Sequence, residues 1–335
     1  MCIFAYGGDF MNMRMKKLMT LFLCVLFLLN SVSVKAYEDT DIDNPIDENG
    51  NTYMNYYIDD IPFFFNFNSK KAEVGFLDPE SNMEPFFYAI PPIVRYKGEF
   101  FDVVKIHKTA FMENGLETIY IPDSVKEIGD EAFRACHNLT SIRLPKSLER
   151  INDGVFNGCH SLKALIIPDS VVSIGNNSLA RTGFETLKLP ENLDEISEWA
   201  FEYAVHLKKI KIPDGITKIN KGTFARCFEL EKVTFSPNID AIDDWAFYRC
   251  SVLKSAKIPD GVKTIGEKAF YKDHKLNSVT INGNSIESIG KSAFIGIKKG
   301  ATFTIKAKNK KRYNTVVKMI KKTTDKGMKY KYKKS

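Results

Sequence analysis

The side chains in this chain best suited to metal or covalent chemistry are four cysteines and their histidine neighbours. Cys136-His137 and Cys159-His160 place the same dipeptide 23 residues apart, and two thiolates with two imidazoles form a common donor set for tetrahedral zinc. A tetrahedral site needs all four groups to converge. Neighbours on an extended chain point to opposite sides, so if Cys136 turns inward, His137 turns to solvent. The C-x-x-C spacing of zinc ribbons is missing, and Cys227 and Cys250 repeat the interval without histidine. No metal site is therefore expected. Serine elbows, H-E-x-x-H helices, phosphate loops and dinucleotide fingerprints are also absent, so neither cofactor nor enzyme activity is expected.

The remaining chemistry is electrostatic, and it becomes visible once the chain is cut into its repeats. The pattern L-x-x-I-x-I-P-x-x-I-x-x-I-x-x-x-x-F-x-x-C, clearest from Leu207 to Cys227, opens at Leu116, Leu139, Leu162, Phe184, Leu207, Leu230, Leu253 and Leu276. Successive openings are 23 residues apart except for one interval of 22. A fixed period of this length with leucine-type spacing is the mark of a solenoid, in which no unit buries its apolar side alone and stacking supplies a continuous core. The fold class expected is a right-handed leucine-rich repeat solenoid, β-rich, with a parallel strand ladder on one face and irregular or short helical turns on the other.

Within a unit, Ile210 and Ile212 alternate with Lys209 and Lys211, the period-two pattern of a strand with one buried face. The proline that follows, as at Pro122, Pro145 and Pro213, ends the strand in a turn. A second inward column, Ile128 to Ile265, then leads to phenylalanines from Phe133 to Phe270 on the opposite side. Irregularity is expected where Leu179 replaces phenylalanine in the 22-residue unit and where Asn284-Ser285 adds a residue. The cysteines share one repeat position. Rungs about 4.8 Å apart bring stacked cysteines within Cα range of a disulfide, but parallel side chains favour buried free thiols.

Two outward columns line the strand face, Thr118, Ser141, Ala164, Thr186, Lys209, Lys232, Ser255 and Ser278 in one and Tyr120, Arg143, Ile166, Lys188, Lys211, Thr234, Lys257 and Thr280 in the other. They hold six bases, Arg143, Lys188, Lys209, Lys211, Lys232 and Lys257, and no acid. Over roughly 35 Å they could meet an extended acidic partner. Lysine and threonine on exposed strands also serve simply to keep sheets soluble.

Outside the repeats the composition shifts. Residues 1–36 read as a secretory leader, with translation starting at Met11 or Met13, a basic start, a short apolar run from Leu18 to Leu29 and Val34-Lys35-Ala36 before the cleavage point. No later apolar segment is long enough to span a membrane. Residues 37–60 read as an acidic linker; Asp39, Asp41 and Asp43 alternate as in a calcium loop, but Asn44 and Gly50 occupy the positions that need glycine and an acid. Residues 61–115 read as a β-hairpin cap and half-repeat, rich in phenylalanine, with an aromatic carbohydrate platform as the alternative. Eight repeats fill 116–298. Residues 299–335 read as a basic α+β cap: from Lys298 onward there are 15 Lys or Arg and one acid, Asp325. Such a tail could attach to an anionic polymer.

Ile128-Gly-Asp-Glu-Ala-Phe-Arg-Ala-Cys136 and Ile265-Gly-Glu-Lys-Ala-Phe270 closely resemble the BspA-like leucine-rich repeats of bacterial surface proteins, and Tyr96 to Val103 resembles that family's lead-in segment. Thr182, Ala204 and Asp273 depart from it at the cysteine position, and Ser236-Pro237 at the proline step. The resemblance implies export, a secreted or cell-surface location, and binding to host proteins or other cells. The expected partner is a host extracellular-matrix or cell-surface protein, or an anionic glycan, met by a monomer, with an envelope scaffold that has no soluble ligand as the further alternative; nucleic acid is not an expected partner of an exported chain.

Overall fold

The computed structural model describes residues 53–58, 61–77, 88–96 and 98–335. The residues read above as a leader and the acidic stretch up to residue 52 lie outside the described residues.

Each repeat crosses the body twice. The first crossing forms strands β7 (Thr118–Tyr120), β9 (Ser141–Arg143), β13 (Lys209–Lys211), β15 (Lys232–Thr234), β17 (Ser255–Lys257) and β19 (Ser278–Asn282). Their central residues Ile119, Ile142, Ile210 and Val279 are buried, as the period-two pattern requires. After the proline a turn closes, with the Val125 N–H donating to Pro122 O at 3.1 Å and the Ile216 N–H to Pro213 O at 3.2 Å. The second crossing forms two-residue strands β8 (Glu127–Ile128), β10 (Arg150–Ile151), β11 (Ser173–Ile174), β12 (Glu195–Ile196), β14 (Lys218–Ile219), β16 (Ala241–Ile242), β18 (Thr264–Ile265) and β20 (Ser288–Ile289). Pairing between rungs is parallel and in phase, Ile219 to Ile242 to Ile265 to Ile289.

The far side thus carries irregular turns rather than short helical ones, the first of the two expected forms, together with a second strand ladder. The turn's hydrogen bonds explain why. Glu131, Phe133 and Ala135 donate to Asp153, Val155 and Asn157 of the next rung at 2.8, 3.0 and 2.7 Å, while Ala132, Arg134 and Cys136 donate back within the turn. Alternate N–H groups therefore point along the solenoid, which a helix does not allow. The geometry puts two residues four apart at positive φ in every rung, as at Glu131 and Ala135 (56° and 57°) and Trp199 and Tyr203 (58° and 56°). Between them the phenylalanines stack, Phe201 on Phe224 at 5.3 Å and Phe224 on Phe247 at 5.4 Å. Each is fully buried, and truncating one to alanine costs about 3–5 kcal/mol.

The expected irregularities appear in the first ladder. No strand forms at Ala164–Ile166, and the next unit keeps a single bridge, Thr186 to Lys209. The 22-residue unit lacks one residue after its turn, between Thr182 and Phe184, just before the bridged segment, while Leu165 and Leu187 remain buried. The ladder breaks again between β15 and β17, where Phe235-Ser236-Pro237 departs from the proline step.

At the N-terminal side β1 (Tyr53–Ile58), β2 (Ile61–Asn66) and β3 (Lys71–Val74) form an antiparallel meander. β1 corrects the linker reading, since a strand occupies 53–58 beside the predicted hairpin. The short β4 (Tyr88–Ala89) pairs with β7, while β5 (Ile93–Tyr96) pairs with β6 (Glu99–Ile106), which joins β3 and β8 in parallel. Phe63, Phe65 and Phe101 are fully buried here, spent on the core, which removes them from any aromatic platform. At the other end β21 (Thr302–Ala307), helix α1 (Lys310–Lys321) and β22 (Lys329–Lys334) make a parallel strand–helix–strand unit on β19. Asn309 caps α1 by accepting the Arg312 N–H at 2.8 Å, Val316 and Ile320 are buried, and Lys318 and Lys321 complement the helix dipole.

Candidate binding surfaces

Convergence of the cysteine–histidine quartet fails as the alternation argument requires. Cys136 and Cys159 point into the core as free thiols, while His137 and His160 are exposed and stack on each other at 5.2 Å. Among the described residues no three potential metal ligands come together. The thiols have a structural role instead. Cys136, Cys159, Cys227 and Cys250 each donate to a phenylalanine carbonyl one rung back, at 2.9, 3.1, 3.2 and 3.1 Å. Burial pushes the Cys136 thiol up to about 12 and the other three in the same direction, so none is a ready nucleophile at neutral pH.

The six strand-face bases divide into two groups. Arg143 is held: its guanidinium lies 4.6 Å from the Tyr120 ring centre, donates to Ile121 O at 2.9 Å and pairs with Asp123 at 2.9 Å. The Lys146 N–H, followed by Arg143, holds the Asp123 carboxyl below its usual range. Lys211 is also held, paired with Glu191 at 3.0 Å. Lys188, Lys209, Lys232 and Lys257 are exposed and make no ion pair among the described residues. Acids do border the face: Glu185 pairs with Lys208 at 3.0 Å and Glu231 with Lys254 at 2.8 Å. Such exposed pairs contribute little to stability, but they restrict the free positive charge to the middle of the strands.

Strand register extends this surface into the tail. Ser255, Ser278, Thr302 and Lys329 occupy one row of a single parallel sheet, and Lys257, Thr280, Thr304 and Lys331 the next. Partners in a parallel pair project to the same side, so the exposed Lys329, Lys331 and Lys333 continue the face that carries Lys257.

Unforeseen from the repeat columns is a cation–aromatic stack on the turn face. Arg181 lies 5.6 Å from the Tyr203 ring centre, Arg226 lies 5.0 Å from Tyr203 and 5.3 Å from Tyr248, and Tyr248 stacks on Tyr271 at 5.5 Å. Glu202 fixes Arg226 at 2.6 Å. The ring faces are spent on rung-to-rung contacts, each worth about 0.5–2 kcal/mol. The signal was present in the sequence as Tyr203, Arg226, Tyr248 and Tyr271, at turn positions that the strand columns do not sample.

Comparison with known proteins fits this architecture. Residues 104–229 and 195–318, more than half of the chain, match the BspA type leucine rich repeat region, in 6 copies. A leucine-rich repeat protein from Bacteroides ovatus, known from its crystal structure, is similar at 27% identity and a TM-score of 0.64, covering 83% of this chain and 76% of that one. The T. pallidum leucine rich repeat protein shares the fold at 24% identity and a TM-score of 0.50, covering 58% of this chain and 88% of its own. No curated protein matches the sequence significantly. With the repeat pattern, the stacked parallel rungs and the family match in agreement, this chain belongs to the BspA type leucine-rich repeat family.

Proposed function

We propose that this protein is an exported, non-enzymatic binding or adhesion protein that recognises an acidic surface on a host or neighbouring-cell protein through its strand face. The observation that carries the proposal is the register joining Lys257 to Lys331 through Thr280 and Thr304 in one sheet. It puts Lys257 and the basic tail in one sheet, which supports reading the strand-face lysines and the tail as one contact surface. Because the sheet is held by backbone ladders on both crossings, its lysines are presented on a rigid frame, and little ordering entropy is lost on binding. Export rests on the leader at 1–36, and family membership favours a protein-binding role. Among the described residues, no helix is long and apolar enough to cross a membrane.

The test is binding of residues 37–335 to extracellular-matrix proteins and sulfated glycans across a salt series. Changing Lys188, Lys209, Lys232 and Lys257 to glutamate should abolish binding without unfolding the chain. An unchanged affinity in that variant would reject the strand face. Preference for sulfated glycan over every protein tested would instead favour attachment to an anionic polymer.

A further inference from the structure

We propose that the turn face, separately from the strand face, holds a binding cleft for a neutral oligosaccharide, formed by two adjoining depressions that meet at Arg181. The cleft arises from a change in side-chain length along the turn columns. Gly154, Asn157 and Asn177 keep the floor low, while Glu131 and Arg134 stand before it and Glu202 and Tyr203 after it. Gly183 lines the second half, where its backbone packs so closely on the preceding rung that a Cβ would lie 2.2 Å from His160 O. The first depression measures about 380 Å³ and the second about 340 Å³, within the range of small-ligand sites.

Their chemistry differs in a way that suits a sugar. The first is polar. Its carboxylates are already fixed, with Asp153 accepting from the Asn176 N–H at 2.7 Å and from its Nδ2 at 3.0 Å, and Glu131 held by Arg134 at 2.9 Å. Each fixed carboxylate keeps lone pairs to offer. Among the described residues, the Asn157 and Asn177 side chains find no hydrogen-bond partner and Arg181 no carboxylate partner. Two amides and a guanidinium are therefore left with unused hydrogen-bonding capacity beside oriented acceptors. A sugar hydroxyl is donor and acceptor at once, and amide side chains match both roles. Glu131, Asp153 and Glu202 outnumber Arg134 and Arg181, so the lining has no positive excess to favour an anion. The second depression adds an apolar wall from Val205, beside the arginine-covered Tyr203 ring, suited to the C–H side of the next ring.

Isothermal titration of residues 37–335 with cellotetraose, maltotetraose, mannotetraose and chitotetraose tests the proposal. At least one should bind with a Kd of about 1 mM or tighter, insensitive to salt, unlike any strand-face partner. Asn157→Ala and Arg181→Ala should each weaken that sugar about tenfold, with the thermal midpoint unchanged. The Asn157 side chain makes no hydrogen bond among the described residues, so its variant carries the test even if Arg181→Ala fails to fold. Failure of all four sugars to bind at that level, or equal affinity in wild type and Asn157→Ala, would overturn the cleft.

Discussion

Trp199 and Trp245 sit two rungs apart, yet their ring centres approach to 5.6 Å because the residue between them in the turn column is Gly222. A Cβ at Gly222 would lie 2.0 Å from the Trp199 ring, and its φ of +62° is one that side chains resist. Gly222→Ala should therefore cost about 2 kcal/mol or more, combining left-handed strain with displacement of the indole. These are the only two tryptophans in the chain, so emission reports the pair directly. The variant should shift emission to the red and lower the thermal midpoint; an unchanged spectrum and midpoint would show that the pair does not depend on the glycine.

Asp273 occupies the cysteine position of its rung, fully buried, with neither carboxyl oxygen hydrogen-bonded. Burial holds its pKa well above the usual carboxylate range. Between the ordinary value and the raised one, the unfolded chain has lost a proton that the folded chain keeps. Stability therefore falls by about 1.4 kcal/mol per pH unit as pH rises through that window. Asp273→Cys, which restores the repeat residue, should stabilise the protein at pH 7, and its advantage should shrink toward pH 4. Chemical unfolding at both pH values checks this, and an advantage equal at both would contradict it.

The thiol column should be inert in the folded state. With Cys136, Cys159, Cys227 and Cys250 fully buried and free, residues 37–335 should consume no thiol reagent at pH 8 until denatured, when four equivalents should react. Fewer than four after denaturation without reductant would reveal disulfides.

Arg143 and Lys232 should respond differently to charge reversal despite their shared face. Arg143→Glu loses a cation–aromatic contact and an ion pair and sets a carboxylate beside Asp123, a cost of roughly 1–2 kcal/mol. Lys232→Glu should leave stability within about 0.5 kcal/mol. Equal costs in urea unfolding would mean that Arg143 is not anchored.

The repeat architecture was legible because its signals recur in phase: the inward isoleucines, the proline step and the phenylalanines mark the same three places in successive units. The second strand ladder was harder to see, since two-residue strands show too little alternation to separate from a turn. β1 was hidden by the acidic residues before it. The anchoring of Arg143 by Asp123 and of Lys211 by Glu191 each spans 20 residues, out of phase with the 23-residue period, so columns compared at equal phase missed it. The Arg181 cleft depends on differences between rungs, which the search for a common pattern averages away.

The central claim is that the strand-face lysines and the tail form one contact surface. Its most direct test is the affinity for a single captured partner, at two salt concentrations, of two variants: Lys209→Glu with Lys232→Glu, and Lys329→Glu with Lys331→Glu. One surface predicts that both folded variants weaken the same partner and that both reduce the salt dependence. If either pair of reversals leaves affinity and salt dependence as in the wild type, the two basic regions act separately and the account is contradicted.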